Sequence, residues 1–91
     1  MSDQICKILK QTFTVFHLEI RDESHKHYGH KGALETGGGH FYLLLVSDNF
    51  LNKPRVERHR MIYQALSPVK DKIHALGIQA YTVREYENSG A

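Results

Sequence analysis

The chain has 91 residues, with one cysteine, seven histidines and a formal net charge of +2. Its 41% hydrophobic and 24% charged residues are typical of a folded protein and exclude a disordered one. A chain of this length forms one domain, residues 1–91, and buries about two thirds of its surface, which leaves little room for a deep substrate pocket. We therefore expect a binding module that depends on a partner, not an enzyme.

The single cysteine excludes an internal disulfide and a Cys-x-x-Cys redox pair, which suits a reducing compartment. The first residues lack the apolar run of a signal peptide, and no stretch approaches the roughly 20 apolar residues of a membrane span. These features predict a cytoplasmic protein that does not enter a membrane. The small positive charge does not by itself predict nucleic-acid binding.

The first half of the chain predicts a helix, a strand, a long loop and a second strand. Apolar residues recur at helical spacing between residues 3 and 13, with Ser2 as the expected N-cap. The period changes to two at Phe16, Leu18 and Ile20, which predicts a strand with one buried face. Residues 22–39 have no periodicity and hold five glycines, as expected for a mobile loop. The nearly continuous apolar residues 40–46 predict a strand covered on both faces.

The second half predicts two helices and a last strand. A turn at residues 47–49 precedes a helix over residues 55–66, and Ser67 and Pro68 end this helix and begin a third. The residues expected on buried faces are Val56, His59, Tyr63 and Leu66, with Ile62 beside them, and then Val69, Ile73 and Leu76. Gly77 is expected to cap the third helix, and residues 78–83 predict the last strand. This order predicts an α/β sandwich with helices on one face of a three-stranded sheet.

The histidines are the densest chemical feature of the chain. His25, His27 and His30 lie on the predicted loop, His40 opens the second strand, and His74 is expected in the last turn of the third helix. A fixed imidazole and an adaptable loop imidazole suit a metal site, because zinc and iron accept neutral histidine nitrogen. Other interpretations stay open: solvated loop histidines, a zinc or copper site of the loop histidines alone, and a histidine that stabilises a helix C-terminus.

A second feature is a group of basic residues around Glu57, at the start of a helix that a tight break separates from another helix. These residues are Lys53, Arg55, Arg58 and Arg60. The pattern suggests helix-turn-helix DNA binding. A solvated helix face is favoured, because the break carries Ser-Pro where a phosphate-cradling Gly-x-x-Gly loop is wanted and the next helix is nearly neutral. No nucleophile elbow or phosphate loop is present, so nothing in the sequence predicts catalysis.

Six short motifs occur in a specific order. They are Leu18-Glu19-Ile20, Asp22-Glu23-Ser24, His40-Phe41, Val46-Ser47-Asp48, Arg58-His59-Arg60-Met61-Ile62-Tyr63 and His74-Ala75-Leu76. In this order they closely resemble the BolA family over nearly the whole chain. The resemblance implies a class II KH-like fold, helix-strand-strand-helix-helix-strand, with a small three-stranded mixed sheet. This order agrees with the elements that periodicity predicts.

The resemblance also implies a function. BolA proteins pair with monothiol glutaredoxins in iron-sulfur cluster handling, and the two share a [2Fe-2S] cluster that glutaredoxin and glutathione cysteines also ligate. The family's helix-end histidine corresponds to His74, and its second ligand is a histidine or cysteine on the loop between the first two strands. This chain has no cysteine there, so His27 and His30 are the best candidates by position and His40 is a third. The implied state is a heterodimer with glutaredoxin, and a monomer or weak homodimer that binds no cluster tightly alone. The alternative that the family also implies is a DNA-binding transcriptional regulator acting through residues 55–76.

Two positions depart from the family pattern. Phe50-Leu51-Asn52 stands where BolA proteins usually carry Phe-x-Gly, which leaves the form of that turn to be determined. Tyr86 replaces the usual tryptophan, which predicts slightly thinner packing near the C-terminal end.

Overall fold

The computed structural model describes residues 1–23 and 39–89. In this part of the chain the helices and strands are α1 (Ser2–Thr12), β1 (His17–Asp22), β2 (Gly39–Val46), α2 (Arg55–Ala65), β3 (Ile73–Tyr81) and α3 (Val83–Asn88). Two 3-10 helices, Asp48–Phe50 and Ser67–Lys72, lie before and after α2. Among these residues no helix has the length and apolar character needed to cross a membrane.

The three strands form one mixed sheet in the order β1-β2-β3. β1 runs antiparallel to β2, with Ile20 opposite Leu43, and β3 runs parallel to β2, with Ile78 opposite Leu43. A parallel pair needs a long crossover connection, and α2 with the second 3-10 helix supplies it. The predicted fold class, a small α/β domain with a three-stranded mixed sheet, is confirmed.

The hydrophobic core lies between the sheet and the helices α1 and α2. Ile5 and Leu9 are one helical turn apart on α1, and both are fully buried. On β2 every second side chain enters the core, because successive strand residues face opposite sides of a sheet. The buried residues of the core are Ile5, Leu9, Phe13, Phe41, Leu43, Leu45, Phe50, Ile62, Leu66, Val69 and Ala80. The first helix and its buried face are thus as predicted, although Met1 and not Ser2 is its N-cap.

The predicted third helix is wrong beyond its first turns. Ser67–Lys72 form a 3-10 helix, and β3 follows at once. Leu76, Ile78 and Ala80 alternate along β3 and lie opposite the core residues of β2. Pairing with the buried central strand outweighs a weak helical spacing in so short a stretch. Gly77 is therefore a strand residue and not a helix cap, and the predicted last strand begins earlier than residue 78.

The buried face of α2 also differs from the predicted one. Val56 and Tyr63 remain 66% and 53% exposed, whereas Ile62 and Leu66 are only 0% and 2% exposed. Ile62 and Leu66 are one turn apart and pack in the core where α2 meets α1 and β3. Only the face of α2 that carries Ile62 and Leu66 contacts α1 and β3, so Val56 and Tyr63 remain on the surface.

The face of β2 that points away from the core is only partly covered. On this face Tyr42 and Leu44 are half-buried and Val46 is fully buried, so the prediction of a strand covered on both faces is only partly correct. The Arg21 guanidinium lies 4.5 Å from the centroid of the Tyr42 ring. The Arg21 side chain, from the neighbouring strand, therefore covers part of this face at Tyr42.

Both positions that depart from the family pattern have structural roles. Asn52 has a φ of 61°, a left-handed conformation that glycine adopts freely and that asparagine tolerates better than most residues. Asn52 therefore adopts a left-handed turn at the position where the resembled family usually has glycine. Tyr86 stacks on His17 with ring centroids 5.3 Å apart, so an aromatic contact is kept where the family has tryptophan.

Candidate functional site

His40 and His74 lie side by side where β2 and β3 begin. Their ring centroids are 4.9 Å apart and their planes are inclined by 46°. Each histidine is the second residue of its strand, and the two strands are parallel, so both side chains lie at the same end of the sheet. The structure thus brings together two of the four predicted metal-ligating histidines.

A β-bulge sets the position of His74. Gly39 pairs with Ile73, but the next residue, His40, pairs with Ala75, so β3 carries one extra residue at this point. A bulge leaves that residue outside the ladder and re-aims its side chain, and His74 is exposed as a result. The prediction that His74 ends a helix is therefore wrong. The alternation of apolar residues after it is the signal in the sequence that indicates a strand.

The segment that carries the other predicted ligands is attached at this same end of the sheet. Asp22 lies opposite Phe41, and the Glu23 N–H donates a 2.7 Å hydrogen bond to the His40 carbonyl. Gly39, on the other side of the segment, begins β2. His25, His27 and His30, within residues 24–38, lie outside the described residues. Both anchor points of this segment are therefore close to His40.

The donor set at this end of the sheet fits a borderline metal but does not complete its coordination. Neutral imidazole nitrogen is a good ligand for zinc and iron, and His40 and His74 offer two such rings at close range. Within residues 1–23 and 39–89 no group of three or more His, Cys, Asp or Glu side chains is placed to hold a metal ion. Further ligands have to come from the remaining segment or from a partner.

Arg58, predicted as a candidate DNA contact, lies in an internal network. Its side chain is only 12% exposed. It donates to the carbonyls of Lys53 and Ala80 and makes two hydrogen bonds to the carboxylate of Glu85. The bond from Arg58 and then the bond from the Thr82 backbone N–H lower the pKa of Glu85 from 4.5 to about 2. Sequence reasoning missed this structural role because Glu85 is 27 positions away.

The remaining basic residues around α2 are accessible. Lys53 and Arg55 are exposed, and Arg60, with its side chain 62% exposed, makes a 3.2 Å ion pair with Glu57. The helix pair over residues 55–76, considered above for DNA binding, is not formed, because a six-residue 3-10 helix and then β3 follow α2 where a recognition helix is needed.

Solved structures of known proteins share this architecture. A bol-like protein from Babesia bovis matches with a TM-score of 0.83 and 22% identity, over 100% of this chain and 94% of that one. The BolA domain of SufE1 from Arabidopsis thaliana matches with a TM-score of 0.76 and 39% identity, over 91% of this chain and 92% of that one. The first of these supports the fold alone, whereas the second is also a relative in sequence.

Sequence comparison agrees with the structural likeness. The chain is 36% identical over 86 residues to the DNA-binding transcriptional regulator BolA of Escherichia coli, which covers 93% of this chain and 78% of that protein. The family profile described as BolA-like protein matches residues 9–85. Together with the mixed sheet, these matches confirm the resemblance seen in the motifs: the chain belongs to the BolA-like family.

Proposed function

We propose that this chain is a non-enzymatic adaptor that binds a monothiol glutaredoxin and helps to coordinate a [2Fe-2S] cluster shared with glutaredoxin and glutathione. The observation that carries this proposal is the pairing of His40 with His74 at 4.9 Å. In the proposal His74 is one ligand, and the second is His40, His27 or His30. The partner supplies the thiolates, which is why one cysteine in this chain is enough.

The exposure of His74 supports a shared cluster. Because the bulge places its ring at the surface, a cluster held mainly by another protein can approach it without rearrangement of the core. Imidazole in place of thiolate makes a cluster site less negative and raises its reduction potential. Such mixed ligation suits cluster transfer or iron regulation better than permanent storage of a low-potential cluster.

The test is reconstitution of the two purified proteins with glutathione, iron and sulfide. We expect a heterodimer with visible absorption and circular dichroism spectra that differ from those of glutaredoxin alone. His74→Ala should abolish that difference, because it removes the exposed ligand. His17→Ala is the matched control, since His17 pairs with Val46 at the opposite end of β2. If His74→Ala gives the wild-type spectrum, the proposal is wrong.

DNA binding is a second candidate function, because the Escherichia coli relative is named a DNA-binding transcriptional regulator. In this alternative the contacts are made by the exposed cations Lys53, Arg55 and Arg60, and not by Arg58 with its internal partners. Phosphate contacts of this kind release counterions, so the affinity should fall steeply as salt rises.

Fluorescence anisotropy with a labelled DNA duplex at several salt concentrations tests this alternative. Arg55→Gln and Arg60→Gln should each weaken binding and reduce the salt slope by about one. Lys7→Gln, on the exposed face of α1, is the control and should bind like the wild type. Affinity that is absent at moderate salt, or equal in all variants, removes this candidate.

A further inference from the structure

β3 is an edge strand with an unusual composition. Within the described sheet it pairs with β2 on one side only. Its nine residues, Ile73–Tyr81, contain no Asp, Glu, Lys, Arg or Pro. Natural edge strands carry such residues because charges and prolines hinder pairing with a further strand. The sequence of β3 therefore offers no protection of this kind along its free edge.

Side chains of α2 cover part of this edge. Arg58 donates a 3.1 Å hydrogen bond to the carbonyl of Ala80, near the C-terminal end of β3. Nearer the beginning of the strand, the Tyr63 hydroxyl reaches the carbonyl of Leu76 at 3.5 Å, which is at the limit of a hydrogen bond. A new strand can therefore reach the first half of β3 if it displaces the weak contact between Tyr63 and Leu76.

A groove of about 220 Å³ lies beside this half of β3. The residues that line it are Tyr63, Leu66, Lys70, Ile73 and Leu76. Two of them, Ile73 and Leu76, flank His74 along the strand, so an occupant of the groove lies within a few residues of the candidate metal ligand. Lys70 is the single charged residue in this lining.

We propose that an extended segment of the partner protein adds to the edge of β3 as a fourth strand and places an apolar side chain in this groove, with a carboxylate near Lys70. The inference rests on the proposed function, since the partner is the glutaredoxin that brings the cluster to His74. In strand addition the main-chain hydrogen bonds provide affinity and pockets for alternate side chains provide specificity. The uncharged edge of β3 and the apolar groove supply these two elements.

Two other occupants fit the groove less well. A single-stranded nucleic acid needs a row of cations along its path, and Lys70 alone lines this groove. A second copy that paired through its own β3 would bring no carboxylate to Lys70, because β3 contains neither Asp nor Glu. An extended segment of a different protein, with an acidic residue next to an apolar one, satisfies both the groove and the lysine.

Calorimetric titration of cluster-loaded glutaredoxin into this chain tests the inference. Tyr63→Glu and Lys70→Glu should each raise the Kd about tenfold, because they place a negative charge at an apolar and basic groove. The matched controls are Val56→Glu on the same helix and Lys10→Glu on α1, both exposed, and neither should raise the Kd more than about twofold. Circular dichroism and thermal unfolding check that each variant is folded. If Tyr63→Glu does not fold, Lys70→Glu still tests the inference, because Lys70 is exposed.

Hydrogen exchange gives a second measurement. Amides of residues 73–81 should exchange more slowly in the complex, and this protection should persist in His74→Ala, since docking along β3 does not need the ligand. The inference is wrong, and the proposed function stands, if wild-type protein binds glutaredoxin but the groove variants bind as tightly as the controls. Both are wrong if the wild-type protein does not bind. The inference also fails if sedimentation shows wild-type self-association that the groove variants abolish, since a second copy then occupies the edge.

Discussion

The guanidinium of Arg58 and the carboxylate of Glu85 form a two-point ion pair that joins α2 to α3, with N···O distances of 2.6 and 3.2 Å. The same carboxylate accepts a hydrogen bond from the Thr82 N–H and completes the capping box of α3. A single side chain thus holds the first turn of α3 and the start of α2. The first arginine of the Arg-His-Arg motif consequently stabilises the fold in this protein.

Stability should fall as the pH drops through the range between the unfolded and folded pKa of Glu85. The folded pKa is about 2 and the ordinary value is 4.5, so the stabilisation is complete above 4.5 and is lost as the pH falls towards 2. Because this carboxylate is partly exposed, solvent screening limits the contribution to about 1 kcal/mol. In thermal unfolding, Glu85→Gln should have a lower Tm than the wild-type protein at neutral pH. Its Tm should also fall less than that of the wild type as the pH is lowered. Glu87→Gln on the same helix should keep the wild-type profile, and an unchanged profile for Glu85→Gln would contradict the assignment.

Arg58 and Arg60 should differ sharply in their effect on stability. Arg58→Ala removes hydrogen bonds to two carbonyls and one carboxylate, and we expect a loss of about 2 kcal/mol in the free energy of unfolding. Arg60→Ala removes one exposed ion pair and should change stability by less than about 0.5 kcal/mol. Urea denaturation measures both. Equal effects of the two substitutions would show that the network around Arg58 does not stabilise the fold.

Asn52 should tolerate glycine and not alanine. Its φ of 61° is costly for a residue with a Cβ and no side-chain amide, so Asn52→Ala should destabilise the protein by about 1 kcal/mol. Asn52→Gly should leave the stability equal or higher, because glycine enters this conformation without strain. The two variants are matched in that both remove the amide. If chemical denaturation gave Asn52→Ala and Asn52→Gly the same free energy of unfolding, a left-handed turn at this position would be ruled out.

Ile62 and Val56 provide a test of which face of α2 is buried. Ile62→Ala should reduce the free energy of unfolding by about 3 kcal/mol, because it opens a cavity in the core. Val56→Ala should change it by less than about 0.5 kcal/mol, since that side chain is already on the surface. Guanidinium denaturation of the two variants under one set of conditions decides the matter. If Val56→Ala lost more free energy of unfolding than Ile62→Ala, the buried face would be the one predicted from the sequence.

The choice of second ligand can be tested with single histidine variants in the reconstituted complex. We expect His40→Ala to lose the altered spectrum as His74→Ala does, because His40 is the described histidine placed beside His74. His27→Ala and His30→Ala should then retain it. Circular dichroism in the far ultraviolet shows whether each variant is folded. If His40→Ala keeps the altered spectrum and His27→Ala or His30→Ala loses it, the second ligand lies within residues 24–38.

Much of the fold follows from local sequence pattern. Helical spacing around Ile5 and Leu9 and the apolar run of β2 predicted elements that the structure contains, because both patterns report which side chains share a face with their near neighbours. The ordered motifs indicated the family, and the family profile confirms it. Histidine chemistry predicted His74 as one candidate ligand and His27, His30 or His40 as the second, and the structure places His40 beside His74.

Only the tertiary structure decided where these residues meet. Residues 69–76 carry a weak helical spacing and the start of a strand alternation, and it is pairing with β2 that makes His74 a bulged strand residue beside His40. In the same way, contact with α1 and β3 selected Ile62 as the buried residue of α2, and α3 supplied the carboxylate that holds Arg58. Local spacing cannot report contacts between residues far apart in the chain, because burial and partner choice depend on how whole elements pack.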